Sequence, residues 1–207
     1  MKKSILFILT IISLFFLWGC YPQGPEYIEE MDVVLTYHED TYDFASKATY
    51  AMPDVIVKIT GAALDEGEVP ETIPKIYSDQ ILTMIETNME DLGWDRVDVS
   101  DTANTDLLLV PASWETEYIY VYYDYWYWYW GGYYPYWGYP PYYYYSSYST
   151  GTLLMSLIDP DAIGTNGNPI IQWSGAINGI LTDYFDATRI NTAIDKAFNQ
   201  SPYLQTN

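Results

Sequence analysis

From Asp32 onward Val33, Leu35 and Tyr37 alternate with Val34, Thr36 and His38, a period of two that predicts a strand. Thr49 to Ala51 reads as a second extended stretch, stopped by Pro53. Val55, Val57 and Ile59 then alternate with Ile56, Lys58 and Thr60 as far as Gly61. Residues 62–74 carry four acidic side chains and two prolines and read as a loop. Between Pro74 and Gly93 the period lengthens. Ile81, Leu82, Ile85, Met89 and Leu92 recur at helical spacing, with Pro at the start and Gly just past the end. Trp94 to Val99 and Asp106 to Ala112 read as two strands, the second apolar on both faces through Leu107, Leu108, Leu109 and Val110, as in a strand covered on both sides. Thr152 to Asp159 and Ile170 to Leu181 flank a stretch of Asp, Pro, Gly and Asn, a hairpin signal. A closing helix spans about Asp186 to Gln200. Ile190, Ala193, Ile194, Ala197 and Phe198 form its apolar stripe, Asp186 is its N-cap, and Pro202 ends the pattern. This order of elements predicts an α+β fold, with two helices packed on one face of a mostly antiparallel sheet.

Ahead of the first strand the pattern is that of an export leader. Lys2 and Lys3 precede the apolar run Ile5 to Leu17, which is short for a membrane span, and the run closes on Leu17-Trp18-Gly19-Cys20. That ending resembles a bacterial lipobox, which implies lipidation of Cys20. Residues 1–19 are then a lipoprotein signal peptide, 20–31 a tether and 32–203 one domain. Tyr21 to Met31 holds two prolines, a glycine and three glutamates, and fully extended it reaches about 35 Å at roughly 3.3 Å per residue. Bacterial lipoproteins carry several acyl chains, and two or more suffice for stable anchoring.

Charge and composition narrow the classes further. The 207 residues carry 8 basic and 28 acidic side chains, a formal charge of −20. Loss of Lys2 and Lys3 with the leader leaves 6 basic against 28 acidic, or −22. Such a balance opposes nucleic acid and anionic lipid surfaces as electrostatic partners. One Cys excludes a disulfide framework and a cysteine-rich zinc site, and one His excludes a multi-histidine metal centre.

The composition also holds 24 Tyr and 8 Trp, and residues 118–148 concentrate them, with 16 Tyr and 4 Trp in 31 positions and Asp124 as the sole charge. From Tyr125 to Trp130 the two types alternate strictly. In an extended chain Trp126, Trp128 and Trp130 would share one face. Gly131-Gly132 could turn the chain, and Pro135, Pro140 and Pro141 oppose regular structure beyond it. Three readings stand open: a sheet strand running into an aromatic loop, a surface that meets a partner protein or the membrane interface, and a platform of rings that stacks on glycans. On the last two, Trp126, Trp128, Trp130 and Trp137 are the candidate binding residues.

Motifs for catalysis do not emerge. There is no G-x-S-x-G elbow, Walker loop or G-x-G-x-x-G fingerprint, and Ser174 lies in a strand pattern without the elbow's first glycine. His38 reads as a strand-end histidine beside Glu39 and Asp40, with no nucleophile nominated to join it. Asp159-Pro160-Asp161 begins like a calcium loop, but Ile163 and Ile170 occupy ligand positions, so a hairpin turn explains it better. Asp65, Glu66, Glu68 and Glu71 read as a solvated acidic loop. No metal and no cofactor is expected, and no spacing selects a pair of carboxylates for hydrolysis. Asp101-Thr102-Ala103 matches a short O-glycosylation motif of exported proteins at Thr102, within a loop.

With these elements placed, the chain from about residue 30 to 203 resembles the bacterial lipoprotein family known as domain of unknown function 4136. The resemblance rests on Asp43-Phe44, Thr49-Tyr50-Ala51, Gly93-Trp94 and Thr105-Asp106-Leu107-Leu108. It continues in Gly151-Thr152-Leu153, Asp159-Pro160, Ile171-Gln172-Trp173-Ser174-Gly175 and Ser201-Pro202. It implies an envelope lipoprotein with an α+β domain and supplies no catalytic residues. The expectation is therefore a non-catalytic interaction or structural module, held at the outer membrane of a Gram-negative bacterium by acylated Cys20 and facing the periplasm or the cell surface. Its partner would be an envelope protein. A glycan-binding lipoprotein is the alternative.

Overall fold

The computed structural model describes residues 33–60, 68–101, 103–114, 151–164, 169–181 and 186–207. Seven strands form one sheet: β1 (Val34–His38), β2 (Thr49–Ala51), β3 (Val57–Ile59), β4 (Asp95–Val97), β5 (Leu107–Trp114), β6 (Thr152–Ile163) and β7 (Pro169–Ile177). Two helices, α1 (Lys75–Asp91) and α2 (Ala187–Asn199), complete the α+β architecture.

The long pairings are antiparallel and run β1-β7-β6-β5. Beyond β5 the sheet turns parallel. β2 pairs with the start of β5 at Leu107 and Leu108, β3 pairs with its end from Ala112 to Trp114, and β4 lies outside β2. The sheet is thus mixed, and α1 is part of the crossover that carries the chain from β3 to the parallel strand β4.

Side-chain alternation sorts the core into two clusters. Leu107 and Leu109 of β5 point to the helical face, where Leu153, Met155, Leu157, Trp173 and Ile177 meet both helices. α1 buries Ile81, Leu82, Ile85 and Met89, with Leu92 packed at the margin. α2 buries all five residues of its predicted stripe. On the other face Leu108 and Val110 join Ala51, Ile158 and Ile171, flanked by Val97 and Val99. All eight residues of β5 are buried, as a strand apolar on both faces requires.

The helix ends follow from local chemistry. Asp186 caps α2 by accepting a hydrogen bond from the Arg189 amide at 3.1 Å. α1 ends in a Schellman arrangement, in which Gly93 (φ +89°) donates to the Glu90 carbonyl and Trp94 donates to that of Met89.

The structure corrects two expectations. The loop assigned to residues 62–74 returns to the sheet at its end. Lys58 N donates to Glu71 O at 2.7 Å and Ile73 N to Ile56 O at 3.0 Å, so the chain lies back along β3 before α1. Asp159-Pro160 does not turn the hairpin, because β6 continues to Ile163 and absorbs the sequence as a register shift between Asp159 and Ile163.

Candidate functional site

Cys20, Thr102, Trp126, Trp128, Trp130 and Trp137, together with Asp65 and Glu66, lie outside the described residues. What the structure fixes is where the segments bearing several of them leave the sheet. Trp114, the last residue of β5, is paired with Thr152, the first of β6, and Gly151 N donates to Trp114 O at 2.8 Å. The Tyr/Trp-rich segment is therefore an insertion between two adjacent antiparallel strands, and it departs and returns at one point of the sheet. Val34, Ile177, Leu153 and Ser113 form one row across β1, β7, β6 and β5. In the next row Val33 O accepts from Asn178 N at 3.0 Å. The chain that arrives from Cys20 thus joins the sheet at the same end.

At the opposite end the polar side chains work as fastenings. The Asp159 side chain is nearly buried, and its Oδ2 accepts from the Tyr42 hydroxyl at 2.6 Å and lies 3.2 Å from Lys47 Nζ. Its Oδ1 accepts from the amides of Asp161 and Ala162 at 2.8 and 3.3 Å, which closes the β6 irregularity. Burial, and then the hydrogen bond to this carboxylate, push the Tyr42 phenol far above its ordinary range. One oxygen of Asp106 takes hydrogen bonds from the amides of Ala48 and Thr49 and from the Thr49 hydroxyl, at 2.9 to 3.0 Å. Burial alone would raise the pKa of Asp106, but these donors and the Lys47 charge together hold it below the usual carboxylate value.

A third set of fastenings closes the C-terminus. Trp94 Nε1 donates to Leu204 O at 2.7 Å, and Trp173 Nε1 donates to Ser201 Oγ at 2.9 Å. The Ser201 hydroxyl in turn donates a hydrogen bond to Ala197 O at 3.0 Å. The Trp173 indole lies over Gly175, where an added Cβ would sit 2.9 Å from Cη2. His38 stacks on Tyr203 at 3.7 Å, with Nε2 3.5 Å from Asp40, so it is a packed strand-end residue. On the far side of α1, Arg96 spans Glu86, Asp54 and the Met52 carbonyl.

Among the described residues no three His, Cys, Asp or Glu side chains converge in a geometry for metal binding. A shallow groove along the helices, lined by Ile76, Asp79, Gln80, Thr83, Met84, Thr87 and Asn191, contains one carboxylate, Asp79, which is paired with Lys75 at 2.6 Å. Tyr42, Lys47 and Tyr203, and Thr206, whose hydroxyl donates to Gly93 O at 2.8 Å, are contributors that sequence reasoning did not single out, and the bonding role of Ser201 was likewise unread. Their partners are distant in the chain, and no local pattern announces them.

These features define a class, an α+β module whose distinctive short motifs hold the fold together. The chain matches the profile of the family described as Domain of unknown function (DUF4136) over residues 33–203, and it belongs to that family. It is similar to the crystal structure of a DUF4136 family protein from Bacteroides thetaiotaomicron VPI-5482, with 26% identity and a TM-score of 0.62. That match covers 84% of this chain and 97% of the other. The PelC dodecamer from Paraburkholderia phytofirmans is a more distant match, with 13% identity, a TM-score of 0.41 and coverage of 86% and 99%. No curated protein sequence matches the chain.

Proposed function

We propose that this protein is a lipid-anchored lipoprotein of the Gram-negative outer membrane that works as a non-catalytic interaction module. The observation that carries the reading is the position of the chain's single cysteine, directly after Leu17-Trp18-Gly19 at the end of a short apolar run that follows two lysines. Residues 20–31, read as an acidic tether, lead towards β1, so the domain could engage an envelope partner while the acyl chains stay in the bilayer. Cys20→Ser is expected to abolish acyl incorporation and to release the protein from carbonate-washed membrane pellets. Retention of the mutant in the pellet would make the apolar run an uncleaved anchor and refute the lipoprotein reading.

Glycan binding is the second reading, supported by the strict alternation that would put Trp126, Trp128 and Trp130 on one face of an extended chain. Replacing residues 125–145 by a Gly-Ser linker is expected to remove partner or glycan retention while the domain still unfolds cooperatively. Loss of cooperative unfolding would instead assign those rings to the core.

A further inference from the structure

The outer edges of the sheet differ in how they are protected. β4 is three residues long and carries Asp95 and Arg96, and the chain from Glu71 to Ile73 lies back along β3. Short length, charge and a covering segment are the usual defences of an edge strand. Among the described residues β1 has none of them. Its run Val33-Val34-Leu35-Thr36-Tyr37-His38 holds no Asp, Glu, Lys, Arg, Pro or Gly, and its register with β7 is unbroken from Val34 to His38. The ladder also fixes which backbone groups face outward. Asn178 N donates to Val33 O at 3.0 Å and Glu39 N to Gln172 O at 2.8 Å, so the odd-numbered residues from Val33 to Glu39 bond to β7. Val34, Thr36 and His38 therefore turn their N–H and C=O groups away from β7, and no described strand meets them. After Glu39 the chain heads inward, to Tyr42 at Asp159 of β6.

We propose that the open edge of β1 takes an extended segment of a partner protein as an added antiparallel strand, and that this segment is preceded by basic residues. The proposal deepens the interaction-module reading and does not depend on the acyl anchor. One antiparallel strand can exchange both backbone hydrogen bonds with each of His38, Thr36 and Val34, over about 13 Å at roughly 3.3 Å per residue. Main-chain bonding of this kind supplies affinity, and alternate side chains supply selection. Leu35 and Tyr37 point to the face away from the helices, because Val34 packs in the helical core and His38 stacks on Tyr203. Both are half-buried. In this register each lies opposite a partner residue in a closely spaced pair without hydrogen bonds, which favours apolar side chains there. The charge of the partner follows from the end of β1. Glu39 and Asp40 are exposed, Asp40 at 92%, and they sit opposite the two residues that precede the paired segment. Basic residues there are attracted and acidic ones repelled, and the formal charge of −20 acts in the same direction. A second copy of this chain fits less well, since pairing about Thr36 sets Val33 against Glu39 and offers no cation.

The probe is the capped peptide Lys-Lys-Thr-Val-Thr-Val-Thr, whose threonines would pair with His38, Thr36 and Val34. It is compared with the same peptide carrying Glu-Glu in place of Lys-Lys. Amide hydrogen exchange is followed in the acylated chain in phosphatidylcholine nanodiscs and in the Cys20→Ser chain, so a failed anchor and a failed edge give separate results. The Val34, Thr36 and His38 amides are expected to exchange fast in the free chain. They should slow about tenfold when the Lys peptide is at about ten times its dissociation constant. The Glu peptide should bind about threefold more weakly, or worse, at low salt. Thr36→Pro removes an outward N–H that β7 does not use, so it should keep cooperative unfolding and lose the peptide's protection. If that variant does not fold, Glu39→Lys combined with Asp40→Lys carries the test and should reverse the preference between the two peptides. No protection by the Lys peptide at millimolar concentration, or full protection in a folded Thr36→Pro chain, overturns the edge as the site. Equal binding of the two peptides, or an unreversed preference in the charge variant, overturns the basic partner. Slow exchange in the free chain overturns the proposal in favour of a second copy where sedimentation shows a dimer, and of cover by the chain itself where it shows a monomer.

Discussion

Asp159→Ala is the most informative single test of the fastening argument. The wild-type side chain is 6% exposed and accepts four donors: the Tyr42 hydroxyl, Lys47 Nζ and the amides of Asp161 and Ala162. Alanine removes all four acceptor contacts at once. Breaking a buried ion pair from one side costs about 3–5 kcal/mol, and a buried donor left unsatisfied costs about 1–3 kcal/mol. Lys47 is 23% exposed and Asp161 is open to solvent, so both can turn partly to water. The net expectation is a loss of about 2–4 kcal/mol, a large share of a typical stability of about 5–15 kcal/mol. Urea unfolding of the Cys20→Ser chain without its leader, followed by near-ultraviolet circular dichroism, measures it. A double-mutant cycle with Tyr42→Phe should return a coupling of about 1–2 kcal/mol. A loss below about 1 kcal/mol with no coupling would show that the carboxylate is not a fastening and that the strand irregularity stands without it.

Three further outcomes follow from the same geometry. Gly175→Ala drives a Cβ to 2.9 Å from the Trp173 ring and 3.1 Å from Met155 Cε, so unfolding experiments should show a loss of about 1–3 kcal/mol; a neutral result would mean that the indole can move aside. Asp106 has a depressed folded-state pKa, so its contribution is present above an unfolded value of about 3.9 and is lost as pH falls through the lower folded value. The stability difference between wild type and Asp106→Asn should accordingly shrink below about pH 4, and a constant difference from neutral pH to about pH 2.5 would contradict the hydrogen-bond argument. Ile194→Asp places a charge at a fully buried position of α2 and should cost several kcal/mol, which an unchanged melting temperature would refute.

The sequence by itself determined the elements whose signals are local. The stripe Ile190, Ala193, Ile194, Ala197 and Phe198 is the buried face of α2, and Asp186 caps it, because helical period and capping are set within a few residues. The run Leu107 to Val110 likewise declared a strand buried on both faces. Tertiary structure decided what depends on distant partners. That β2 and β3 lie parallel along successive parts of β5 follows from chain crossovers, which no alternation of side chains encodes. Asp159 looked like turn chemistry because Asp-Pro favours turns. Its role became visible only once folding brought Tyr42, 117 residues away, within 2.6 Å. Ser201 read as a residue before a helix-ending proline, yet its hydroxyl accepts from the Trp173 indole, 28 residues away in the chain. Local propensity reports the backbone state of a residue, whereas the partner of a buried polar group is chosen by the packing of the whole chain, and the fastenings of this domain belong to the second kind.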